Sequence, residues 1–435
     1  MGAAFPDTVT ITGGVPLHGS VRPPGDKSLS HRCLLLAAMA EGRSTLRGLG
    51  SGDDVARTRA VIEHLGAVVA LDPGRGTVTV DGPGLEHLRP VATDLDCGNS
   101  GTTMRLVAGL AAGLDGTTVL TGDGSLRSRP MDRVVEPLRA LGADIEAADD
   151  GLHAPLRIRG GRLTGRRVEC GVASAQVTSA LVLAGLQAEG TTEIVEPAPS
   201  RDHTERMLRA LDVPVERRGD ILRVRRGAPR PFSFDVPGDP SSAAFLVVAA
   251  TLVPGSAIVV EDVDVNPLRI GFVEVLRRMG ADIDITERGE RLGEPVADIV
   301  VRAASLSGTD IDSDEIPGVI DELPVLAVAA AFAVGTTRIR GAGELRAKES
   351  DRIATVSTEL ARLGAAVEQL PDGLIVGPGE LHPGDFVAHG DHRVALAAAT
   401  GSLGLPGTST VSGWGATAVS YPGFLDDVAR LQVAA

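Results

Sequence analysis

Apolar and polar positions along this chain fall into one pattern that recurs six times. A glycine-bearing turn leads into an alanine-rich apolar run of helical length, then a glycine, then a short β-prone run. The first copy is PGDKSLSHRCLLLAAMAEGRSTLRGLG, starting at Pro24. The pattern returns as CGNSGTTMRLVAGLAAGLDGTTVLTG from Cys97, CGVASAQVTSALVLAGLQAEGTTEIVE from Cys170 and PGDPSSAAFLVVAATLVPGSAIVVED from Pro237. The last two copies are IPGVIDELPVLAVAAAFAVGTTRIRGAG from Ile316 and HGDHRVALAAATGSLGLPGTSTVSG from His389. Their closing glycines, Gly42, Gly116, Gly190, Gly255, Gly335 and Gly407, are spaced 74, 74, 65, 80 and 72 residues apart. A self-similar period of about 70 residues marks internal duplication.

A second, amphipathic helical pattern follows each β-prone run. In five copies it ends in a variant of Leu-Gly-Ala and a short strand, as in VIEHLGAVVA, EPLRALGADIE, RMLRALDVPVE, VLRRMGADIDI and ELARLGAAVEQ. An alternating strand such as GTVTVDG or DILRVRR comes next, so each unit reads helix–strand–helix–strand–strand. The sixth copy stops after its second helix, SYPGFLDDVARLQ, and the strand TVTITGG at residues 8–14 is placed to supply what it lacks. The prediction is an α/β (α+β) chain of two three-repeat domains. One is discontinuous, 1–19 with 240–435, and the other is 20–239; Pro229, Pro231 and Pro237 mark the return crossing.

Composition narrows the function classes. A length of 435 residues gives two or three domains, and 43% apolar residues are ample for their cores. With 2% aromatic residues and a net charge of −15, the chain is unsuited to stacking or backbone contacts with nucleic acid. Small anionic ligands stay open, because they need only local arginines and lysines. Three cysteines without a CxxC pair point to a reducing cytoplasm, and MGAAFPDTVT has no secretory pattern. The longest apolar run, 324–335, predicts a buried helix and no membrane span.

Chemistry gathers where the apolar helices begin. In VRPPGDKSLSHR, Asp26 or Ser28 is a candidate cap, and Lys27, Ser28 and Arg32 offer an anion site at a helix start, or else a capped helix with solvated charges. The acidic pair Asp53 and Asp54 reads as a structural cap of the next helix. In the second unit the loop Gly98–Thr102 lets a ligand approach the backbone and Thr102 can donate or cap. Pro130 suits a first helical position, leaving Arg127 and Arg129 at the mouth as carboxylate or phosphate forks or as surface arginines. The third unit offers Ser174, Gln176 and Arg201, the last in the slot that Arg129 fills one unit earlier.

The fourth unit, with DVNPLRIGF, reads as scaffold. In the fifth, Asp321 or Glu322 is either a cap or a base for a hydroxyl proton, and Lys348 and Arg352, spaced i,i+4 around Glu349, form an anion site with an acid or a structural ion network. The sixth crowds Asp391, His392 and Arg393 on one turn. No metal or nucleotide motif is present.

The ordered set PGDKSLSHR, GNSGTTMR, RSRP, SAQVTSA, SRDHTERML, Asp321, KESDR and GDHR resembles the enolpyruvyl transferases over nearly the whole chain, most closely the branch acting on shikimate 3-phosphate. That resemblance implies an inside-out α/β barrel of six βαβαββ repeats with substrates in the interdomain cleft, closing on them to exclude water. It implies transfer of the carboxyvinyl group of phosphoenolpyruvate to the 5-hydroxyl of shikimate 3-phosphate by addition–elimination, with no metal or organic cofactor, in a monomer. Lys27, Ser28, Arg32, Ser174, Ala175, Gln176, Arg201, Asp321, Glu344 and Lys348 are implied to bind shikimate 3-phosphate. Lys27, Gly101, Arg129, Gln176, Arg352 and Arg393 are implied to bind phosphoenolpyruvate. Asp321 would act on the 5-hydroxyl and Glu349 would protonate the methylene carbon, with Lys27 and His392 assisting.

Three positions depart from the family pattern. Ala175 stands where a second serine is usual, Glu344 where asparagine is common, and Val419 where some members carry a lysine. Gly101 is the residue expected to admit the inhibitor glyphosate. The related transferase acting on UDP-N-acetylglucosamine fits less well, since it begins with Lys-Asn and uses a loop cysteine; here Lys27 is followed by Ser28 and no cysteine lies in the loop before Arg129. A non-catalytic repeat scaffold would be free to lose Lys27, Asp321 or Glu349, and none is lost.

Overall fold

All six apolar runs form helices with almost no solvent-facing side, in a computed structural model that describes residues 6–91 and 93–433. These opening helices are Lys27–Met39, Gly101–Ala111, Ala175–Gly185, Pro240–Leu252, Leu323–Ala331 and His392–Leu403. Every residue of Leu323–Ala331 and of His392–Leu403 is buried, as expected of helices apolar all round. The second helices, such as Gly271–Met279 and Arg352–Leu363, are instead amphipathic and end at the left-handed glycines Gly280 and Gly364. In the third repeat Asp212 takes that left-handed position, with φ 59°, a conformation aspartate tolerates better than most residues.

The chain divides into two compact units. One, the terminal domain, comprises the chain up to Pro24, Pro237–Gly289 and everything from Pro295; the other, the central domain, comprises Gly25–Val236 and Glu290–Glu294. The sequence pattern put these crossings at 19/20 and 239/240. Each domain has its own apolar core, built mainly from its three opening helices and the inner faces of three small sheets.

Each sheet follows the repeat. In the second, Leu95–Asp96 lies parallel to Gly116–Thr121, which pairs antiparallel with His153–Gly160 and so leads to Asp144–Ala147. The short parallel edge strand preceding each opening helix is absent from the five-element reading of the sequence, because two to four residues are too few to show alternation. At the two crossings the edge strands are exchanged. His18–Val21 precedes the first opening helix but pairs with Ala257–Val260 of the fourth repeat, and Ser233–Asp235 pairs with Thr45–Arg47 of the first. Thr8–Gly13 completes the sixth sheet against Gly407–Ser412, in the place the sequence pattern assigns to it.

The closing glycines all have positive φ, between 84° and 124°, where a side chain would strain the turn from helix to strand. No helix of the described residues is long and apolar enough to cross a membrane.

Close approach of the opening helices depends on small residues. A Cβ added at Gly109 would lie 2.1 Å from the carbonyl oxygen of Ala180 on the adjacent helix. Gly109→Ala is therefore expected to lower the unfolding free energy by about 2–3 kcal/mol despite the better helix propensity of alanine, measured by urea denaturation.

Candidate functional site

An opening helix buried on all sides delivers its unsatisfied amide groups to one mouth. Four of the six mouths are closed by a side chain. Asp26 accepts from the amide of Leu29 at 2.6 Å and Ser100 from Thr103 at 3.1 Å. Asp239 accepts from Ser241 at 2.7 Å and Asp391 from Arg393 at 2.9 Å. The other two mouths, at Ser174 in the central domain and Glu322 in the terminal domain, have no side-chain cap. Neither Asp321 nor Glu322 serves as the cap that the sequence allowed.

In the central domain the first two mouths hold a set of paired cations. Lys27 Nζ lies 3.1 Å from Asp54 Oδ2. Asp54 was read from sequence as a helix cap; the N-cap is Gly52, and the Asp54 carboxylate faces Lys27 instead. Arg32 is almost fully buried and donates to Ser28 O, Thr204 Oγ1 and Ser179 Oγ at 2.7–2.9 Å. Arg129 reaches Asn99 Oδ1 at 2.5 Å, while Arg127 is exposed. Pro130 lies outside the helix, which begins at Asp132 after Met131.

Arg105, to which the sequence reading gave no role, donates to Gln176 Oε1 at 2.7 Å, and Gln176 donates in turn to Thr102 Oγ1 at 2.9 Å. A Cβ on Gly101 would meet Arg105 Nη1 at 2.7 Å and Arg129 Nη1 at 3.6 Å, so glycine here makes room for two guanidinium groups. Arg201 is half-buried on the turn before the helix His203–Ala210, and Ser174 and Ala175 start the uncapped helix.

The terminal domain gathers carboxylates around one guanidinium. Arg352, 1% exposed, has Nε 2.8 Å from Asp391 Oδ2, Nη2 2.6 Å from Glu349 Oε2 and Nη1 3.6 Å from Asp321 Oδ1. Burial works against its charge, but Asp391, Glu349 and Asp321 outweigh it and hold the pKa above the usual arginine value. Burial would likewise raise Asp391, yet the charges of Arg352 and His392 keep it below the usual carboxylate range. Arg393 donates to the carbonyl of Asp321 at 2.8 Å and lies 3.8 Å from both Asp321 Oδ2 and Glu322 Oε1. His392 is buried on the same first turn.

Lys348 and Arg352 do not oppose each other, because Lys348 pairs with Glu344 at 3.0 Å and Arg352 with Glu349. Asp351 caps its helix and pairs with Arg346. Val419 is half-buried at the end of the short helix Trp414–Val419. The fourth mouth, read from DVNPLRIGF as scaffold without a concentrated polar cluster, does hold buried polar groups. Asn266 and Arg269 are buried there, and Arg269 donates to Asp239 and to Ser241, whose hydroxyl makes a short bond to Glu322.

Chemically, one domain presents fixed cations, a neutral amide and open helix amides, a set suited to anions. The other presents two partly accessible carboxylates, Asp321 and Glu349, held by a buried guanidinium at a helix mouth, a position from which a carboxylate can take a proton from a hydroxyl.

The family model for EPSP synthase (3-phosphoshikimate 1-carboxyvinyltransferase) matches residues 11–428. The chain is 48% identical over 434 residues to the 3-phosphoshikimate 1-carboxyvinyltransferase of Synechococcus sp. (strain JA-3-3Ab), covering 99% of this chain and 98% of that protein. It is 50% identical over 426 residues to that of Halorhodospira halophila, covering 97% and 95%. Among solved structures, EPSP synthase from Acinetobacter baumannii superposes with a TM-score of 0.87 at 39% identity, covering 98% of each chain. The enolpyruvyl transferase NikO from Streptomyces tendae shares the fold, with a TM-score of 0.77 at 20% identity over 97% of this chain and 96% of that one.

The first mouth also holds a buried titratable group. His31 Nδ1 lies 2.6 Å from Thr58 Oγ1, in a chain of hydroxyls running through Thr103 to Ser100. Burial, then the charges of Lys27 and Arg32, hold its pKa well below the ordinary imidazole value. The unfolded chain takes up this proton as pH falls through about 6.5, while the folded chain refuses it. The stability His31 contributes is therefore complete above about pH 6.5 and declines below it. In His31→Gln the slope of unfolding free energy between about pH 6.5 and 5 should be shallower by up to about 1.4 kcal/mol per pH unit, read from denaturation at each pH.

Proposed function

This chain belongs to the EPSP synthase family, and from that premise we propose the part that each helix mouth plays. The chain transfers the carboxyvinyl group of phosphoenolpyruvate to the 5-hydroxyl of shikimate 3-phosphate and releases phosphate, a step of the shikimate pathway toward chorismate. Both substrates are small anions, and with a net charge of −15 the attraction rests on the local cations.

Shikimate 3-phosphate is assigned to Ser28, Arg32, Ser174, Ala175, Gln176 and Arg201, with Glu344 and Lys348 at its ring. Its phosphate fits the uncapped start of the helix Ala175–Gly185, where free amides and the helix dipole favour an anion. That placement gives Ala175 a role for its amide, so the missing second hydroxyl costs one contact and not the site. Phosphoenolpyruvate is assigned to Lys27, Arg129, Arg352 and Arg393, beside Gly101 and Gln176. With Val419 in place of a lysine, the donor is held by arginines and Lys27.

In the addition, Asp321 takes the proton of the 5-hydroxyl as its oxygen bonds to the central carbon of phosphoenolpyruvate, and Glu349 gives a proton to the methylene carbon. In the elimination a proton returns from the methyl carbon to Glu349, the bond from the central carbon to the phosphate oxygen breaks, and the departing phosphate carries off the proton that Asp321 took, which restores both carboxyl groups. Lys27 and His392 stabilise the charge that builds at the phosphate and the carboxylate. The observation that carries these roles is the single guanidinium of Arg352, which holds Asp321 and Glu349 at 3.6 and 2.6 Å, so that base and acid are fixed by one group.

We place the enzyme in a reducing cytoplasm. Cys33, Cys97 and Cys170 are buried and unpaired, and burial pushes the Cys97 and Cys170 thiols up to about 12 and 11.

Purified protein should release phosphate only when phosphoenolpyruvate and shikimate 3-phosphate are both present. A requirement for UDP-N-acetylglucosamine instead would sink this reading. Asp321→Asn and Glu349→Gln should each cut kcat by about 10²–10⁴-fold with substrate affinities within a few-fold, and near-normal turnover would remove the roles given to them.

A further inference from the structure

The third repeat contains a buried carboxylate that the reaction does not use. Glu196 follows the strand Thr191–Val195 and is 4% exposed. It accepts from Thr178 Oγ1 at 2.7 Å and Ser200 Oγ at 2.6 Å on one oxygen, and from Arg217 Nη2 at 2.5 Å on the other. Arg217, on the strand Val215–Arg218, also forks onto Glu205 at 2.9 and 3.0 Å, and Glu205 lies on the helix His203–Ala210.

These contacts join two pieces of chain that the proposed function needs in register. Thr178 is on the first turn of the uncapped helix, the turn that Ser174, Ala175 and Gln176 begin. Ser200 immediately precedes Arg201, at the end of the Pro197–Ala198–Pro199 segment, which has no helix or strand ladder to hold it. Glu196 bridges the helix mouth to this segment through Thr178 and Ser200, while one turn further in the Ser179–Thr204 hydroxyl pair, at 2.7 Å, joins the same helix to the start of the next. A buried carboxylate requires compensation, and here two hydroxyls and one guanidinium supply it in a fixed geometry.

We infer that Glu196 is a positioning residue for shikimate 3-phosphate, bolting the phosphate-facing helix mouth to the turn that carries Arg201. The inference rests on the assignment of Ser174, Ala175 and Arg201 to that substrate. Glu196 touches neither substrate; it sets the spacing between the amides at one end of the site and the guanidinium at the other. Loss of the bolt therefore weakens the acceptor, while the donor residues Lys27, Arg129, Arg352 and Arg393 make no contact with Glu196.

Steady-state kinetics with each substrate varied in turn tests this. Glu196→Gln keeps the size of the side chain but turns an amide toward Arg217 or the hydroxyls. It should raise KM for shikimate 3-phosphate about tenfold, with kcat and KM for phosphoenolpyruvate within about twofold. Thr178→Val, which leaves the Glu196–Arg217 pair intact, should raise the same KM by about threefold and keeps the test open if Glu196→Gln folds poorly. Glu193→Gln, which removes the nearby surface pair with Arg223, should change neither KM. A lower melting temperature with both KM values unchanged would make Glu196 merely structural and overturn the inference. So would an equal rise in both KM values. If Arg201→Ala leaves KM for shikimate 3-phosphate unchanged, the site assignment itself falls. If Arg201→Ala raises it and Glu196→Gln does not, only the positioning role falls.

Discussion

Six helices without a solvent face impose the constraint from which the rest of this molecule follows. An apolar helix satisfies its backbone along its length, but its first amides must be met by something polar at the mouth. Because the helix walls are apolar, polar residues accumulate where the helices begin. Asp26, Ser100, Asp239 and Asp391 satisfy four of these ends from within the chain. The ends at Ser174 and Glu322 are left without a side-chain cap, one in each domain. The duplication that builds the fold thus also builds six polar openings, and differences between them decide the chemistry.

The terminal domain shows how much charge such an opening can hold. Arg352 is fully buried and survives there because three carboxylates surround it; alone, its desolvation would be prohibitive. The same contacts fix Asp321 and Glu349, the two groups proposed to move protons. The fourth repeat, which supplies no proposed substrate contact, still feeds this arrangement through Arg269, Ser241 and Glu322. In the central domain the analogous work is done with hydroxyls and amides. Arg32 is held by Ser179 and Thr204, and Gln176 by Arg105 and Thr102.

Much of the fold was legible because duplication repeats each signal six times, so one weak copy is corrected by the others. The left-handed Asp212 is an example: its position is recognisable only because glycine occupies it in the sister repeats. The short edge strands and their exchange at the crossings were not legible, since register between distant segments leaves no trace in local alternation. The same limit applies to the mouths. Sequence identified which charged residues begin each helix, but not their partners: Asp54 for Lys27, Thr204 for Arg32 and Arg105 for Gln176 lie 27, 172 and 71 residues away. Asp54 was misread as a cap because an acidic first turn has the same appearance in both roles. Arg269 was overlooked because a single arginine in an apolar segment gives no local sign of being buried.

The central claim is that one buried guanidinium holds both proton-transfer groups in place. Arg352→Lys keeps the charge but cannot fork onto Asp391, Glu349 and Asp321 together. Its kcat for phosphate release, set beside the calorimetric affinity for shikimate 3-phosphate alone, tests the claim most directly. The account predicts a fall in kcat of about a hundredfold or more with that affinity unchanged. A lysine variant that turns over at nearly the normal rate would contradict it.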